Sequence, residues 1–303
     1  MKIKKVIIRR DAHSADKVID FTDDYGGGIY REILLTGSNG CGKTTVLDCV
    51  MSMWVAVREW SIWPDPLHNG LRAYEELSEF HGCAVILEGA FLDRPDGSNL
   101  GLVFGDCVWV QEHMNMLPDA YWMGEEVLDD NGTLRVDCFD KDLLERIAKY
   151  TPSLHYVSNS MSGLEEALYA MAINAPDLFR KVCLQFNSLL PNKDLHLGES
   201  GEVKVLSMSP SATMHNISAL SAGETQVLLV VLACQAYLEE GGVLMIEEDS
   251  LGLHPSLTPS VMSYVQQACR EKDVQLICTS HNPEVWQRFE LSGLRLELEQ
   301  YSG

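Results

Sequence analysis

The nine residues Gly37-Ser38-Asn39-Gly40-Cys41-Gly42-Lys43-Thr44-Thr45 decide the fold of this 303-residue chain. They fit the pattern G-x-x-x-x-G-K-[ST], in which glycines let successive backbone N–H groups turn inward and form a nest for an anion. The apolar run 33–35 precedes the pattern as a predicted strand, and residues 46–60 follow it with helical spacing. A strand, a glycine loop and a helix N-terminus in this order predict a site for a nucleoside triphosphate.

The side chains of this loop have separate predicted tasks. Lys43 is expected to neutralise the β- and γ-phosphates of the nucleotide, and the hydroxyl of Thr44 is expected to ligate Mg²⁺. The residues of the loop that are predicted to bind the nucleotide are Gly37, Asn39, Gly40, Gly42, Lys43, Thr44 and Thr45. A glycine turn in an ordinary loop is the alternative, and the flanking strand and helix argue against it.

Composition restricts the setting in which such a site works. A hydrophobic content of 46% is enough for a sizeable core, and no apolar run reaches the roughly 18 residues that cross a membrane. The nine cysteines show no C-x-x-C spacing, which predicts a reducing cytosol with neither a disulfide frame nor a zinc site. We therefore expect a cytoplasmic protein that does not contact a membrane.

The formal net charge of −21 restricts the partners. An acidic surface repels phosphate backbones, so nucleic-acid binding by this chain alone is disfavoured, although it stays one of the alternatives. A basic cluster near the N-terminus is either a local nucleic-acid patch or, preferentially, the outward face of an edge strand; it consists of Lys2, Lys4, Lys5, Arg9 and Arg10. A basic partner protein would also suit the charge.

The predicted strands and helices indicate an α/β fold whose two halves flank a middle insertion. Residues 1–112 form the N-terminal half with the phosphate loop and a β-hairpin, residues 113–215 a mostly helical insertion, and residues 216–303 the C-terminal half. Strands are expected at 2–8, 18–21, 33–35, 83–92, 101–110, 153–158, 203–208, 243–246, 274–279 and 294–298. Helices are expected at 46–60, at 163–190 with a break near Pro176, at 224–240 and at 258–270.

A second candidate anion site lies at the start of the apolar helix that follows Leu220. The run Ser221-Ala222-Gly223-Glu224 places a serine and a small residue followed by glycine at a helix N-terminus, where free N–H groups and a hydroxyl can bind an anion. The alternative is an ordinary capping box between Ser221 and Glu224. Taken alone, the local sequence favours the capping box.

Two predicted buried strands end in polar residues. The strand 243–246 leads into Glu247, Glu248 and Asp249, so their carboxylates are expected at the C-terminal edge of the sheet, beside the phosphate loop. There Glu247 can hold the Mg²⁺ shell through water, and Glu248 can act as the general base on the attacking water. The strand before His281 brings that histidine to the same edge, within reach of the γ-phosphate. A solvated acidic turn and a structural histidine are the alternatives.

The order of these four elements resembles that of ABC-type ATPases, and of their SMC/RecF-like branch more than of transporters. The run 220–224 is similar to the L-S-x-G-E signature of that branch, whereas transporters usually carry glutamine at the last place. Glu247-Glu248 followed by Leu253-His254-Pro255 resembles the E-E-P-E-x-x-L-H-P segment of RecF-like and OLD-nuclease-like ATPases, which are AAA-type P-loop proteins. The resemblance covers about 1–112 and 216–290. It implies a P-loop NTPase, an ABC-type ATPase head with a mixed antiparallel β lobe.

The chain departs from this pattern at two positions. Glu247 stands where the superfamily prefers aspartate, and its extra methylene would shift the Mg²⁺ shell. Asp249 replaces the usual proline. The family also has a glutamine-containing loop at its metal site, and Gln111, at the end of the predicted hairpin, is the candidate for it.

The resemblance implies a mechanism in which the signature of one subunit closes over ATP held by the other. ATP and Mg²⁺ are then the cofactors, Ser221, Gly223 and Glu224 face the nucleotide of a second copy, and Glu248 and His281 catalyse hydrolysis. The expected function is a switch that controls a separate effector or nucleic-acid machine, in DNA repair or anti-phage defence. The alternatives are the nucleotide-binding subunit of a membrane transporter and an ATP-binding head with little turnover.

Overall fold

The computed structural model describes residues 1–8, 17–23, 26–62, 77–80, 82–88, 99–104, 125–128, 134–137, 154–157, 164–198, 202–208, 212–247 and 253–298. Its strands are β1 (Lys2–Ile8), β2 (Lys17–Asp20), β3 (Glu32–Thr36), β4 (Cys83–Glu88), β5 (Asn99–Phe104), β6 (Glu125–Leu128), β7 (Leu134–Asp137), β8 (Leu154–Val157), β9 (Lys193–Leu197), β10 (Val203–Ser207), β11 (Thr213–Asn216), β12 (Val243–Glu247), β13 (Gln275–Thr279) and β14 (Leu294–Glu297). Its helices are α1 (Lys43–Ile62), α2 (Leu164–Asn174), α3 (Pro176–Leu189), α4 (Ala222–Leu232), α5 (Thr258–Glu271) and α6 (Pro283–Ser292). Short 3₁₀ turns span Ser78–Phe80 and Ile217–Ala219, and a π-helical turn spans Ala233–Tyr237.

A parallel sheet of five strands, in the order β14-β3-β13-β12-β8, forms the centre of the fold. β3, β12 and β13 are buried along nearly their whole length, as their continuous apolar runs predict for parallel strands covered on both faces. The strands predicted at 33–35, 153–158, 243–246, 274–279 and 294–298 are confirmed in this sheet. Because the carboxyl ends of parallel strands meet at one edge, Thr36, Glu247 and Thr279 at the ends of β3, β12 and β13 come together there.

Alternate side chains of this sheet enter two separate hydrophobic cores. Ile33 and Leu35 point to the face that α1 covers, whereas Leu34 between them points to the opposite face, which α4, α5 and α6 cover. Val243 and Leu244 on β12 divide between the two cores in the same way. The helix that follows the phosphate loop and the helix that begins at Ala222 therefore pack on opposite faces of one sheet.

An antiparallel sheet in the order β2-β1-β4-β5 forms the N-terminal lobe. The pairing of β4 with β5, with Cys83 opposite Phe104, confirms the predicted hairpin. The turn predicted at 94–97 lies outside the described residues. The sequence-based expectation of a mixed antiparallel β lobe beside the nucleotide-binding sheet is thus confirmed.

The side chain of Gln275, at the start of β13, connects this lobe to the central sheet through hydrogen bonds. Its amide nitrogen donates to the carbonyl oxygens of Ile3 at 2.9 Å and Tyr30 at 3.0 Å, and its amide oxygen accepts the Ile3 N–H at 2.6 Å. Gln275 has no exposed surface. The buried amide satisfies the carbonyl of Tyr30, just before β3, and both backbone polar groups of Ile3 in β1, which does not pair with β13. It thereby holds β1 against the central sheet.

The described part of the middle segment, residues 113–215, contains strands as well as the predicted helices. α2 and α3 confirm the two predicted helices and the break at Pro176. The described part of the segment also contains strands β6 to β10 and most of β11, of which the sequence pattern predicts only β8 and β10. β8 pairs in parallel with β12, so the central sheet takes one of its strands from this segment.

α4 ends earlier than the helix predicted over 224–240. The α-helical pattern stops at Leu232, and the π-helical turn follows, with the Leu238 N–H donating to the carbonyl of Ala233 at 2.9 Å. The ammonium of Lys272 donates to the carbonyls of Cys234 at 3.0 Å and Leu238 at 2.7 Å, which satisfies acceptors that the helix end leaves open. None of the helices in the described ranges is long and apolar enough to cross a membrane.

Candidate nucleotide-binding site

The loop between β3 and α1 has a backbone that its glycines allow. Gly37, Gly40 and Gly42 have φ angles of 138°, 77° and 94°, which lie in the region that favours glycine. A Cβ atom on Gly37 would also lie 2.3 Å from the carbonyl oxygen of Leu298, just after β14. The three glycines of the motif therefore stand where the backbone geometry requires them.

Lys43 lies inside the loop rather than at its rim. The residue is only 7% exposed, and its ammonium donates to the carbonyl oxygens of Gly37 at 3.0 Å and Ser38 at 3.1 Å. The loop thus surrounds one positive charge, and phosphate oxygens brought to the loop would meet that charge at short range. Three further residues predicted to bind the nucleotide are exposed around it, namely Asn39, Thr44 and Thr45.

Two of the predicted Mg²⁺ ligands meet at the carboxyl edge of the sheet. The hydroxyl of Thr44 donates a hydrogen bond to Oε1 of Glu247, from a position 203 residues away in sequence. Glu247 lies opposite Thr279 in the ladder between β12 and β13, and the buried hydroxyl of Thr279 has no partner in the described part of the chain. Hydroxyl and carboxylate oxygens are donors that Mg²⁺ accepts, so this set fits the ion. When bound, Mg²⁺ would neutralise charge on the terminal phosphates.

Asp48 adds a second carboxylate that the sequence pattern does not single out. It lies one helical turn after Thr44 on α1. Burial, and then the carboxylates of Glu247 and Glu79, raise the pKa of Asp48 above its ordinary value. A divalent cation at Thr44 and Glu247 would relieve this concentration of negative charge.

The substitution Asp48→Asn tests this charge concentration. A carboxyl group whose pKa is raised on folding destabilises the folded chain once the pH exceeds that pKa. With EDTA at pH 7.5, we therefore expect the variant to melt about 1 to 2 °C above the wild type, with the gap closing as the pH falls through the pKa of Asp48. We also expect a smaller rise in melting temperature on addition of Mg²⁺ and ATP.

Differential scanning fluorimetry measures both effects, and Asp177→Asn is the matched control because its carboxylate is 90% exposed on α3. Asp177→Asn is expected to leave the response to Mg²⁺ and ATP unchanged and, because it removes a carboxylate from the first turn of α3, not to raise the melting temperature. A lower melting temperature for Asp48→Asn in EDTA, or an undiminished response to Mg²⁺ and ATP, would contradict the role given to Asp48.

Neighbouring bonds fix the segment that carries His281. The Ser280 N–H donates to the carbonyl oxygen of Leu35 at 3.3 Å, so the segment runs directly beside the exit of β3. The indole N–H of Trp286 donates to the Ser280 carbonyl at 3.1 Å, and the Asn282 N–H donates to the Ser280 hydroxyl oxygen at 2.9 Å. The half-buried histidine thus lies at the sheet edge that carries the phosphate loop, where the sequence places it.

The start of α4 forms the capping box that the sequence offers as an alternative, and that alternative is confirmed. The Glu224 N–H donates to the Ser221 hydroxyl oxygen at 3.4 Å, and the Ser221 N–H donates to Oε2 of Glu224 at 2.9 Å. The cap does not remove the anion site, because a hydroxyl that accepts one hydrogen bond keeps its own hydrogen to donate. The N–H groups of Ala222 and Gly223 also have no acceptor within the helix.

Two predicted functional residues fall outside the described part of the chain. Glu248, the predicted general base, follows directly on the last residue of β12. Gln111, the predicted third Mg²⁺ ligand, follows the hairpin strand β5 after several further residues. Their roles stay predictions.

The loop and the strand order define the class of fold. β3 leads into the glycine loop, β13 lies beside it, and β12 ends in a carboxylate that contacts the residue after Lys43. A glycine loop of this sequence between a buried strand and a helix is the arrangement of a P-loop nucleotide-binding fold. Residues 211–285, about a quarter of the chain, match the family model described as "AAA domain, putative AbiEii toxin, Type IV TA system". This range holds the start of α4, both strands β12 and β13, and His281.

Several solved structures are similar to the chain over its length. A putative ABC transporter ATP-binding protein from Pyrococcus furiosus is 10% identical, with a TM-score of 0.39, over 98% of this chain and 96% of that one. The dimeric structure of MJ0796, a bacterial ABC transporter cassette, is 12% identical, with a TM-score of 0.44, over 98% and 93%. The same cassette in a post-hydrolysis state with ADP and Pi is 12% identical, with a TM-score of 0.43, over 98% and 96%. No curated protein matches the sequence.

Proposed function

We propose that this protein is an ATP-dependent switch that binds and hydrolyses ATP with Mg²⁺ and forms a head-to-tail homodimer when ATP is bound. The observation that carries the proposal is that α1 and α4, whose starts are both predicted to bind anions, pack on opposite faces of one sheet. α1 follows the phosphate loop on one face, and α4 follows the signature-like segment on the other. Two copies can then each supply one half of two composite sites, as the resemblance to ABC-type ATPases implies.

In each composite site the two chains would supply different groups. One copy supplies Lys43 and the loop N–H groups for the β- and γ-phosphates, and Thr44 and Glu247 for Mg²⁺. The other copy supplies the Ser221 hydroxyl and the Gly223 N–H, which the capping box leaves available. Neither copy alone then encloses the γ-phosphate, so ATP first binds to the loop of one copy and then favours dimerisation with a second copy.

Hydrolysis would use groups at the carboxyl edge of the sheet. Glu248 would take a proton from the attacking water, and His281 would hydrogen bond to the γ-phosphate. The Ser280 contacts to β3 and to Trp286 support this role for His281, because they fix its backbone beside the loop. Loss of the γ-phosphate removes the group that joins the two copies, and the dimer reopens.

The substitution Glu248→Gln tests the switch. Removing the base while keeping its size should lower the ATP turnover number at least about 100-fold, leave ATP affinity intact and trap a dimer. ATP turnover and sedimentation velocity, each with and without ATP, measure these outcomes. Unchanged turnover would refute the base assignment. A monomer in saturating ATP would refute the composite site.

The partner controlled by the switch is proposed to be a separate effector. The matched family model names a putative toxin of a type IV TA system, so we favour a defence setting over DNA repair. A cytoplasmic location fits the seven described cysteines, all of which are buried and none of which forms a disulfide within the described residues. Affinity purification of the Glu248→Gln protein with ATP from its own host would identify the effector, whether a protein or a nucleic acid.

An ATP-binding head with little turnover is the second candidate. The observation that favours it is the glutamate at 247, where the related ATPases prefer aspartate and where the Thr44 hydroxyl is already engaged. A wild-type protein that binds ATP and dimerises but hydrolyses ATP no faster than the background rate would support this candidate over the hydrolysing switch. A transporter subunit would instead sediment with membranes, which fractionation tests.

A further inference from the structure

A lysine on β9 contacts the start of α4 from outside that helix. Nζ of Lys193 lies 3.2 Å from Oε1 of Glu224, and the two side chains are only 21% and 22% exposed. The same ammonium donates to the hydroxyl oxygen of Ser207 on β10 at 2.8 Å. Lys193 thus joins two strands of the β11-β10-β9 sheet to the signature-like segment, in an environment largely screened from water.

Glu224 uses its two carboxylate oxygens for different partners. Oε1 meets Lys193, and Oε2 accepts the Ser221 N–H at 2.9 Å. Burial opposes the charged carboxylate, but the hydrogen bond from Ser221 and the Lys193 ammonium outweigh it and hold the pKa of Glu224 below its ordinary value. The position of Ser221 is therefore linked to that of Lys193 through one ionised side chain.

β9 in turn is held by α3, another element of the middle segment. The side-chain oxygen of Asn187 on α3 accepts the Leu195 N–H at 3.0 Å, and the amide nitrogen of Asn187 donates to the carboxylate of Asp194. A separate bond joins the Ser218 N–H to Oε1 of Glu165 on α2 at 3.2 Å. The middle segment thus contacts the chain on both sides of Ser221, before it through α2 and after it through β9.

We propose that Lys193 is a positioning residue for Ser221, through which the middle segment sets how well the signature of one copy closes on the ATP of the other. The inference rests on the proposed function. Lys193 acts through Glu224 and does not contact the phosphate loop of its own chain. Its loss should therefore affect closure and turnover without affecting the first step, the binding of ATP to the loop.

The experiment compares Lys193→Met, Lys193→Arg, Ser207→Ala and the control Lys204→Met in the full chain. Lys204 lies in the same sheet, but its ammonium bonds to Glu202 rather than to the signature. For Lys193→Met we expect a roughly tenfold lower turnover number and a tenfold higher protein concentration for half-maximal dimerisation with ATP, the scale of one charge-assisted hydrogen bond. The dissociation constant for ATP should stay within about twofold of the wild type.

Lys193→Arg keeps the charge and should retain most of the wild-type turnover. Ser207→Ala removes only the hydroxyl that accepts a hydrogen bond from Lys193, so its turnover number should lie between those of Lys193→Met and the wild type. Thermal unfolding of each variant establishes whether it is folded. If Lys193→Met does not fold, the comparison of Ser207→Ala with Lys204→Met tests the inference instead. Turnover equal to that of Lys204→Met, or a parallel loss of ATP affinity, would overturn the inference while leaving the proposed function standing. A wild-type protein that neither dimerises nor turns over ATP would overturn both.

Discussion

Replacing Lys43 with alanine is expected to abolish ATP binding, raising the dissociation constant for ATP roughly 100-fold or more, which corresponds to about 3 kcal/mol. The reason is the position of the ammonium inside the loop, bonded to the carbonyls of Gly37 and Ser38. Without it, these carbonyl dipoles would face the phosphates with no positive charge between them. Isothermal titration calorimetry with ATP and Mg²⁺ measures the loss.

Lys4→Ala is the matched control for this experiment. Lys4 is also a lysine with limited exposure, but its ammonium pairs with Glu88 and it belongs to the antiparallel lobe. Its removal should leave ATP affinity unchanged. If Lys43→Ala is folded by circular dichroism and still binds ATP within a few-fold of the wild type, the loop does not serve the nucleotide in the way proposed.

Gln275→Leu is expected to lower the free energy of unfolding by about 3 to 5 kcal/mol, although leucine has a similar volume. The substitution leaves both the N–H and the carbonyl of Ile3 without partners in the interior, and it frees the carbonyl of Tyr30 as well. The midpoint of urea unfolding measures the change.

Gln267→Leu serves as the control, since Gln267 is exposed on α5 and bonds only to Glu271 one turn later. We expect its effect to stay below about 0.5 kcal/mol. A loss for Gln275→Leu that is no larger than this would mean that water replaces the glutamine amide between the two sheets.

Much of the nucleotide-binding core could be predicted from sequence because its signals are local. The apolar runs at 33–35, 243–246 and 274–279 are continuous, and such runs fit buried parallel strands between helices. Glycine at 37, 40 and 42 signals a backbone with positive φ, which the structure has. Each of these inferences needs only a short window of sequence.

The features that sequence reasoning missed depend on contacts between distant residues. β11 is exposed at all four positions, so it has no apolar face that would mark a strand. β9 alternates polar and apolar residues only over 194–197, which is a very short window, and it buries only Leu195 fully. Lys193 and Glu224 are 31 positions apart, and no motif couples them. The sequence of 220–224 favours a capping box over an anion site. In the structure the capping box forms, and it still leaves the Ser221 hydroxyl with a hydrogen that it could donate to an anion.

The two hydrophobic cores described above share the parallel sheet as their dividing layer. Neighbouring residues such as Leu34 and Leu35 belong to different cores, yet one backbone joins them. In the proposed dimer, ATP would be held on the α1 side of one copy and the α4 side of the other. The parallel sheet, with its hydrogen bonds between strands, would then be the layer that connects the two ATP-contacting faces of each copy. A rigid sheet would pass more of the free energy of ATP binding to the middle segment than a sheet that deforms.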